Sequence, residues 1–162
     1  MSTENKKVKN ATTVIYNGMK FRSITESRMY KVMIEEGFTP DFEPQSFILW
    51  DGCYLQKPYY FEGEPVVTKN GYPKKLIDWT YTPDFIITLG CCTFIIEAKG
   101  NPNDLWSYKR KLFLKHIDKM KNTYFFEVRT IKGLKKTLSV IKSIYDESIA
   151  SSKNAGTSSV SS

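Results

Sequence analysis

The sequence predicts an α/β fold with the element order α, three or more strands, α, β, α. A capping box at Ser23-Ile24-Thr25-Glu26 predicts the start of the first helix, because Ser at the N-cap and Glu three residues later bind each other's free backbone N–H groups. Two runs rich in β-branched and aromatic residues, 82–89 and 93–99, predict a hairpin about Gly90-Cys91. Two later segments with apolar residues at helical spacing flank one more strand-like run.

The first half of the chain carries clear boundary signals. The first helix is predicted over residues 24–36, with Gly37 as the residue that ends it. An extended segment is predicted at 45–50. Residues 51–80, rich in Tyr, Pro, Gly and Lys, are typical of irregular hairpins or loops, with a candidate strand at 74–79. Gly90 at the first central position of the hairpin loop indicates a type II′ turn.

The second half follows a loop at 100–103. A helix is predicted over residues 104–121, a strand over 124–129 and an amphipathic helix over 133–147. The inward residues predicted for the first of these helices are Leu105, Leu112, Phe113, Ile117 and Met120. Those predicted for the second are Leu134, Leu138, Ile141, and either Ile144 or Tyr145. His116, the only histidine, lies on the first apolar stripe and is expected to be a core residue rather than a ligand or base.

Length and composition indicate one domain with an anionic partner. Of the 162 residues, 1–12 are expected to form a flexible basic arm, 13–149 one domain and 150–162 a disordered Ser-rich tail. The net charge of +7 favours an anionic partner, most commonly a nucleic acid. The cysteines, Cys53, Cys91 and Cys92, have no zinc-ligand spacing, and no signal peptide or membrane span is recognisable. We therefore expect a reducing intracellular compartment and no membrane partner.

The candidate chemistry lies where the predicted hairpin strands begin and end. A two-residue loop at Gly90-Cys91 pairs Leu89 with Cys92, and continuing this ladder by five residues places Asp84 opposite Glu97. Because side chains alternate along a strand, Lys99 points to the same face as Glu97. Two carboxylates and one ammonium are thus expected to meet at one edge of the sheet.

Facing carboxylates repel each other, and a cation between them would relieve the repulsion. Oxygen ligands of this kind suit Mg²⁺ or Mn²⁺, held by Asp84, Glu97 and the main-chain carbonyl of Ala98. Such an ion binds a phosphate oxygen and acidifies a water molecule. Lys99 would either orient that water or stabilise charge growing on the scissile phosphate. The alternative is a pair of ordinary strand ends in which Lys99 only neutralises its neighbours.

Glu26 has two interpretations. As the third residue of the first helix it is fully explained by the capping box. It also shares a helix face with Met29, Tyr30 and Met33, which should point inward, and an inward Glu needs a partner. Glu26 is therefore also a candidate third carboxylate of the metal site, and both roles can hold together.

Four basic residues and one amide are candidate DNA contacts. Gln45, at the start of the extended segment, is either a polar neighbour of the site or a plain strand-end amide. Lys109 and Arg110, one turn into the following helix, are candidates to bind phosphate, although a lysine there can also extend along the helix flank into solvent. Lys74 and Lys75 lie among aromatic residues, which suits either nucleic-acid stacking or a twisted hairpin with one partly buried face.

Five short motifs in a fixed order carry a resemblance that spans residues 18–113. They are Gly18-Met19-Lys20-Phe21-Arg22-Ser23-Ile24-Thr25-Glu26, Phe42-Glu43-Pro44-Gln45, Tyr81-Thr82-Pro83-Asp84-Phe85, Ile96-Glu97-Ala98-Lys99-Gly100 and Lys109-Arg110-Lys111. In this order they resemble the PD-(D/E)XK nuclease superfamily, in particular its small phage branch with the endonuclease I-like Holliday-junction resolvases. The resemblance implies a restriction-endonuclease-like core, a central mixed β-sheet flanked by α-helices, in which residues 51–80 are an insertion.

The resemblance also implies a set of roles and an activity. Asp84 and Glu97 would bind the metal, Lys99 would be the catalytic lysine and Glu26 the first-helix carboxylate. The implied activity is Mg²⁺-dependent hydrolysis of DNA, first of branched DNA, by a homodimer in the cytoplasm of a bacterial or phage-infected cell. The alternatives are a sequence-specific or nicking endonuclease, an inactive DNA-binding module, and a basic structural protein.

Overall fold

The structure, a computed structural model, describes residues 12–100 and 104–157, with side chains as far as residue 152. This part of the chain is mixed α/β, as predicted, and contains three helices and several small sheets. The helices are α1 (Ile24–Glu35), α2 (Asp104–Ile117) and α3 (Ile131–Thr157). The strands are β1 (Val14–Tyr16), β2 (Met19–Phe21), β3 (Asp41–Phe42), β4 (Phe47–Trp50), β5 (Tyr59–Phe61), β6 (Glu64–Val66), β7 (Trp79–Tyr81), β8 (Phe85–Leu89), β9 (Cys92–Ala98) and β10 (Thr123–Val128).

The largest sheet has four strands in the order β10-β9-β8-β3. Strand β9 is antiparallel to β8 and parallel to β10, so the sheet is mixed. The hairpin between β8 and β9 pairs Leu89 with Cys92 across a two-residue loop. Of the two loop residues only Gly90 has a positive φ, of 55°, which is the sign pattern of a type II′ turn. Both the predicted register and the predicted loop are confirmed.

Alternating side chains of β8 and β9 face two separate hydrophobic clusters. Phe85 and Ile96 pack on one face of the sheet, where the buried residues of α1 and α3 also lie. Ile86 and Ile95 pack on the other face, with Phe113 of α2 and residues of β4 and β7. Because Glu97 is two residues after Ile95, this alternation puts its side chain on the α2 face of the sheet.

Helix α1 begins and ends where its local signals predict. The Ser23 hydroxyl accepts the backbone N–H of Glu26 at 3.2 Å, which is the predicted N-cap interaction. The helix ends at Glu35, one residue before the predicted end, and Gly37 follows with a φ of 85°. Met29 and Met33 are fully buried, so the predicted inward face is correct.

The strand predicted over 82–89 is wrong in its first half. The structure has β8 from Phe85, and Trp79–Tyr81 forms a separate strand, β7, paired with β4 rather than with β9. Pro83 lies between the two strands and has no N–H to donate to a ladder, which gives a physical reason for the break. The predicted extended segment at 45–50 corresponds to β4.

Residues 51–78 form an exposed arm between the paired strands β4 and β7. Its strands β5 and β6 form an antiparallel hairpin. The strand predicted at 74–79 is wrong, because only Lys75 forms an isolated bridge there, with Tyr54, and Trp79 already belongs to β7. At the base of the arm, a Cβ on Gly52 would lie 2.2 Å from the Leu76 carbonyl oxygen, so this close approach requires glycine.

Helix α2 is rotated relative to its predicted orientation and is shorter. Trp106 and Phe113 are buried, whereas Leu105, predicted to point inward, is 59% exposed. The helix ends at Ile117 rather than 121, and the predicted inward residue Met120 lies beyond it and is exposed. His116 is also exposed, with its ring at 5.7 Å from that of Phe47, so its prediction as a core residue is wrong.

Helix α3 continues past its predicted end at 147 to Thr157, into the residues predicted as a Ser-rich tail. Serine hydroxyls donate to carbonyls of the preceding turn, as Ser151 does to Glu147 and Ser152 to Ser148, which occupies these polar groups within the helix. Three predicted segments lie outside the described residues: 1–11 of the N-terminal arm, 101–103 of the loop and 158–162 of the tail. No helix in the described ranges combines the length and apolarity that a membrane crossing needs.

Candidate active site

Asp84 and Glu97 lie side by side at one end of the central sheet. The ladder pairs Phe85 with Ile96, so the next position places Asp84 beside Glu97, as predicted. Asp84 is fixed there by the backbone N–H of Ala98, which donates to its Oδ2 at 2.7 Å. No donor of the described residues is hydrogen bonded to the other oxygen, Oδ1. Asp84 therefore keeps one oxygen for a further partner.

Glu97 is buried, with 6% of its surface exposed, and both of its oxygens have donors. The Tyr81 hydroxyl donates to Oε2 at 2.6 Å, and the Lys99 ammonium donates to Oε1 at 3.0 Å. Burial, followed by the charge of Glu97 and this hydrogen bond, raises the pKa of Tyr81 far above its ordinary value. Tyr81 is thus a neutral hydroxyl donor that fixes the orientation of Glu97.

Lys99 is held on two sides. Its ammonium, besides binding Glu97, lies 3.8 Å from the centre of the Trp106 indole ring, which is a cation–π contact. Trp106 comes from the first turn of α2 and is itself oriented by a hydrogen bond from its Nε1 to Glu127 at 3.1 Å. The position of the Lys99 charge is therefore set by β9 and by α2 together.

The pKa of Asp84 is raised by its surroundings. Burial first, and then the neighbouring charge of Glu97, raise the pKa of Asp84 to about 8, although the Ala98 N–H and Lys99 act in the opposite direction. A divalent ion would remove this penalty, so the residues present suit one. The described residues contain no group of three His, Cys, Asp or Glu side chains that could hold a metal. An ion here would have two carboxylates and leave its other positions to water or phosphate oxygens, which is usual for Mg²⁺.

Glu26 is occupied by the capping box and is not brought into one group with the two site carboxylates. Its oxygens accept the Arg22 N–H at 3.0 Å and the Ser23 hydroxyl at 2.9 Å. Its charge still contributes to the raised pKa of Asp84, so it lies near the site. Of its two interpretations, the cap is directly visible, and the role as a metal ligand stays a prediction.

Glu127 is a second carboxylate beside the site, and sequence reasoning missed it. It is the neighbour of Glu97 across the parallel ladder between β9 and β10. Arg110 and Arg129 donate to it at 3.1 and 3.2 Å, in addition to Trp106. Burial acts to raise the pKa of Glu127, but these hydrogen bonds outweigh it and hold the pKa below its ordinary value. The predicted DNA contact Arg110 is thus part of an ion-pair cluster.

The other candidate DNA contacts are not drawn together by the fold. Gln45 is exposed just before β4, and Lys109 is half-buried on α2 without an ion pair among the described residues. Lys74 and Lys75 are exposed on the arm, where Lys75 lies over the ring of Tyr54. Residues 51–80 carry four lysines and four acidic residues, so the surplus of positive charge lies outside the arm.

Signals for the missed residues are weak but present in the sequence. Trp106 lies seven residues before Phe113 and therefore on the same face of α2, so it was available as an inward residue. Glu127 lies two residues after Phe125, and so on the same face of its strand, but its position beside Glu97 depends on the register of two strands that are far apart in sequence. Tyr81 belongs to β7 and lay between the two strands predicted at 74–79 and 82–89, so it was assigned to neither.

Taken together, the site offers a partly buried carboxylate with a free oxygen, Asp84, a buried carboxylate held by a hydroxyl, Glu97, and a fixed ammonium group, Lys99. This set can bind a divalent cation and place positive charge next to an anionic group. Comparison of the chain with protein-family models, with curated proteins and with solved structures finds no match.

Proposed function

We propose that this protein is a metal-dependent endodeoxyribonuclease with a restriction-endonuclease-like core. The single observation that carries the proposal is the pair of neighbouring carboxylates, Asp84 and Glu97, at one sheet end with the Lys99 ammonium bound to one of them. Two adjacent carboxylates, Glu97 buried and Asp84 partly buried, are costly without a cation, and the raised pKa of Asp84 reflects that cost. The motif resemblance adds the substrate class, and it favours branched DNA.

Asp84 and Glu97 would hold the ion, with the Ala98 carbonyl as a further candidate ligand. When bound, Mg²⁺ or Mn²⁺ would supply positive charge to a phosphate oxygen and acidify a water molecule. Lys99, fixed between Glu97 and Trp106, places a second positive charge where negative charge grows on the phosphate. Tyr81 contributes by keeping Glu97 in one orientation.

The test is cleavage of a labelled panel: four-way junction, three-way junction, flap, linear duplex and single strand. Each substrate is incubated with Mg²⁺, with Mn²⁺ and with EDTA. Wild-type protein is compared with Lys99→Ala and Glu97→Gln, and with Glu36→Gln as a matched control. Glu36 also binds a lysine, Lys135 at 3.3 Å, but this pair links α1 and α3 on the opposite face of the sheet.

We expect metal-dependent cleavage, strongest on branched DNA, that is lost in Lys99→Ala and Glu97→Gln and kept in Glu36→Gln. Cleavage of linear DNA alone would replace the branched-DNA preference by a sequence-specific or nicking activity. Binding without cleavage of any substrate would contradict the nuclease proposal and leave a DNA-binding module. Symmetric cutting of a junction would call for two sites, and so for a homodimer.

A further inference from the structure

Two arginines from different elements converge on one carboxylate next to the candidate active site. Arg110 of α2 donates to Glu127 Oε2 at 3.1 Å, and Arg129, directly after β10, donates to Oε1 at 3.2 Å. The Glu127 side chain is 15% exposed, whereas those of Arg110 and Arg129 are 41% and 59% exposed. The carboxylate therefore lies beneath two guanidinium groups that face solvent.

This cluster has spare charge and spare donors. Two guanidinium groups are opposed by one carboxylate, so one positive charge is left over. Each guanidinium has five N–H donors in a fixed fork, and one hydrogen bond of each to Glu127 is observed. Glu127 thus orients both forks and leaves most of their donors for an outside acceptor.

The cluster lies one strand away from the catalytic carboxylate. Glu127 and Glu97 are direct partners in the parallel ladder, and neighbouring strands are about 4.8 Å apart. The chain just after β9 is also bonded to the end of β10, because the backbone N–H of Lys99 donates to the Val128 carbonyl at 2.7 Å. An anionic group held by the two arginines would therefore lie immediately beside the group held at Asp84 and Glu97.

We propose that Arg110 and Arg129 bind a backbone phosphate of duplex DNA next to the one that is cleaved, with Glu127 as the residue that positions them. Arginine forks match phosphate oxygens in pairs, and contacts of this kind set the register of a protein on DNA. The position of this phosphate next to the cleaved one rests on the proposed nuclease function, whereas binding of the phosphate can be measured without chemistry.

The experiment measures the affinity of the full chain for a short linear duplex in EDTA over a series of salt concentrations. Variants are Arg110→Gln, Arg129→Gln and the double change. The matched control is Lys135→Gln with Lys142→Gln, since these lysines lie 3.3 and 4.0 Å from one carboxylate, Glu36, at similar exposure but on the other face of the sheet. The control removes two positive charges, as the double arginine change does, and so separates a local contact from a general effect of net charge.

We expect each arginine change to lower the slope of log affinity against log salt by about 0.9 and to weaken binding roughly tenfold at low salt. The lysine control should leave the slope unchanged. Arg129→Lys retains the charge and should retain the slope, which guards against a variant that simply misfolds. In a nuclease assay the arginine changes should raise KM more than they lower kcat.

Unchanged slopes in the arginine variants, or an equal decrease in the lysine control, would overturn the proposal that Arg110 and Arg129 form a clamp on a DNA phosphate. The same holds if the wild-type protein does not bind duplex DNA at all. Arginine-specific slopes in a protein that never cleaves would support the clamp and contradict the nuclease proposal. Cleavage with unaffected slopes would contradict the clamp alone.

Discussion

Because the pKa of Asp84 is raised, the folding stability of the metal-free protein should depend on pH through the candidate site. Burial and the charge of Glu97 raise this pKa to about 8, from 3.8 for an unperturbed Asp. Between these two values the folded protein keeps a proton on Asp84 that the unfolded chain has lost. Folding stability contributed by this group therefore decreases as the pH rises from about 4 to about 8, and it is constant outside that window. Asp84→Asn, which cannot ionise, should remove this dependence.

The magnitude follows from the size of the shift. Each pKa unit corresponds to 1.36 kcal/mol, so the shift from 3.8 to about 8 corresponds to about 6 kcal/mol. Asn is itself a polar group whose burial costs free energy, so the substitution recovers only about half of this figure. We expect Asp84→Asn to stabilise the metal-free protein by ~3 kcal/mol at pH 8.5 and to have almost no effect at pH 4.

The assay is urea unfolding in EDTA at pH 4, 6, 7 and 8.5, for wild-type protein and Asp84→Asn. Asp41→Asn on β3 serves as the control, because Asp41 is an exposed carboxylate of the same sheet. The difference in unfolding free energy should grow with pH for Asp84→Asn and stay constant for Asp41→Asn. Parallel pH curves for Asp84→Asn and wild type would refute the reasoning, since they would mean that Asp84 is ionised in both states.

Three further predictions concern the residues around the pair. Glu26→Ala should lower the unfolding free energy, measured by urea unfolding, by about 1 kcal/mol, because the helix cap is lost. Cleavage should be retained, and its loss in a folded variant would instead make Glu26 part of the site. Because the pKa of Glu127 is lowered, its stabilising contribution is present above the ordinary value of 4.5 and is lost as the pH falls below it. Glu127→Gln should therefore be less stable than wild type at pH 7, by a difference that shrinks as the pH falls below 4.5, and a difference independent of pH would contradict this. Trp106→Phe keeps an aromatic face for Lys99, whereas Trp106→Leu removes it at similar volume. We therefore expect kcat of the Phe variant to be about three- to thirtyfold higher than that of the Leu variant. Equal kcat values would show that the ring face has no effect.

Local signals explain why part of the fold and the core of the site could be predicted. The start of α1 depends on one capping box, Ser23 to Glu26, whose atoms all lie within four residues. The two-residue loop at Gly90 fixes the whole ladder between β8 and β9, because the register of a hairpin is set by its loop. Asp84 beside Glu97 follows directly from that register.

Other features depend on contacts that a single segment does not encode. Leu105 and Trp106 are both apolar, so the spacing in α2 leaves its rotation open, and the packing of Trp106 between Lys99 and Glu127 decides it. Glu127 lies beside Glu97 only because β9 and β10 pair in parallel with α2 between them in sequence. The length of α3 was underestimated, because a Ser-rich composition is typical of disorder although serine hydroxyls can also bond to helix carbonyls.

The most direct test of the central claim is a calorimetric titration of the protein with Mn²⁺. We predict one ion per chain in the wild-type protein, loss of binding in Asp84→Asn and in Glu97→Gln, and retained binding in Glu36→Gln. Absence of binding in the wild-type protein, or equal binding in all four proteins, would contradict the claim that Asp84 and Glu97 form one cation-binding pair.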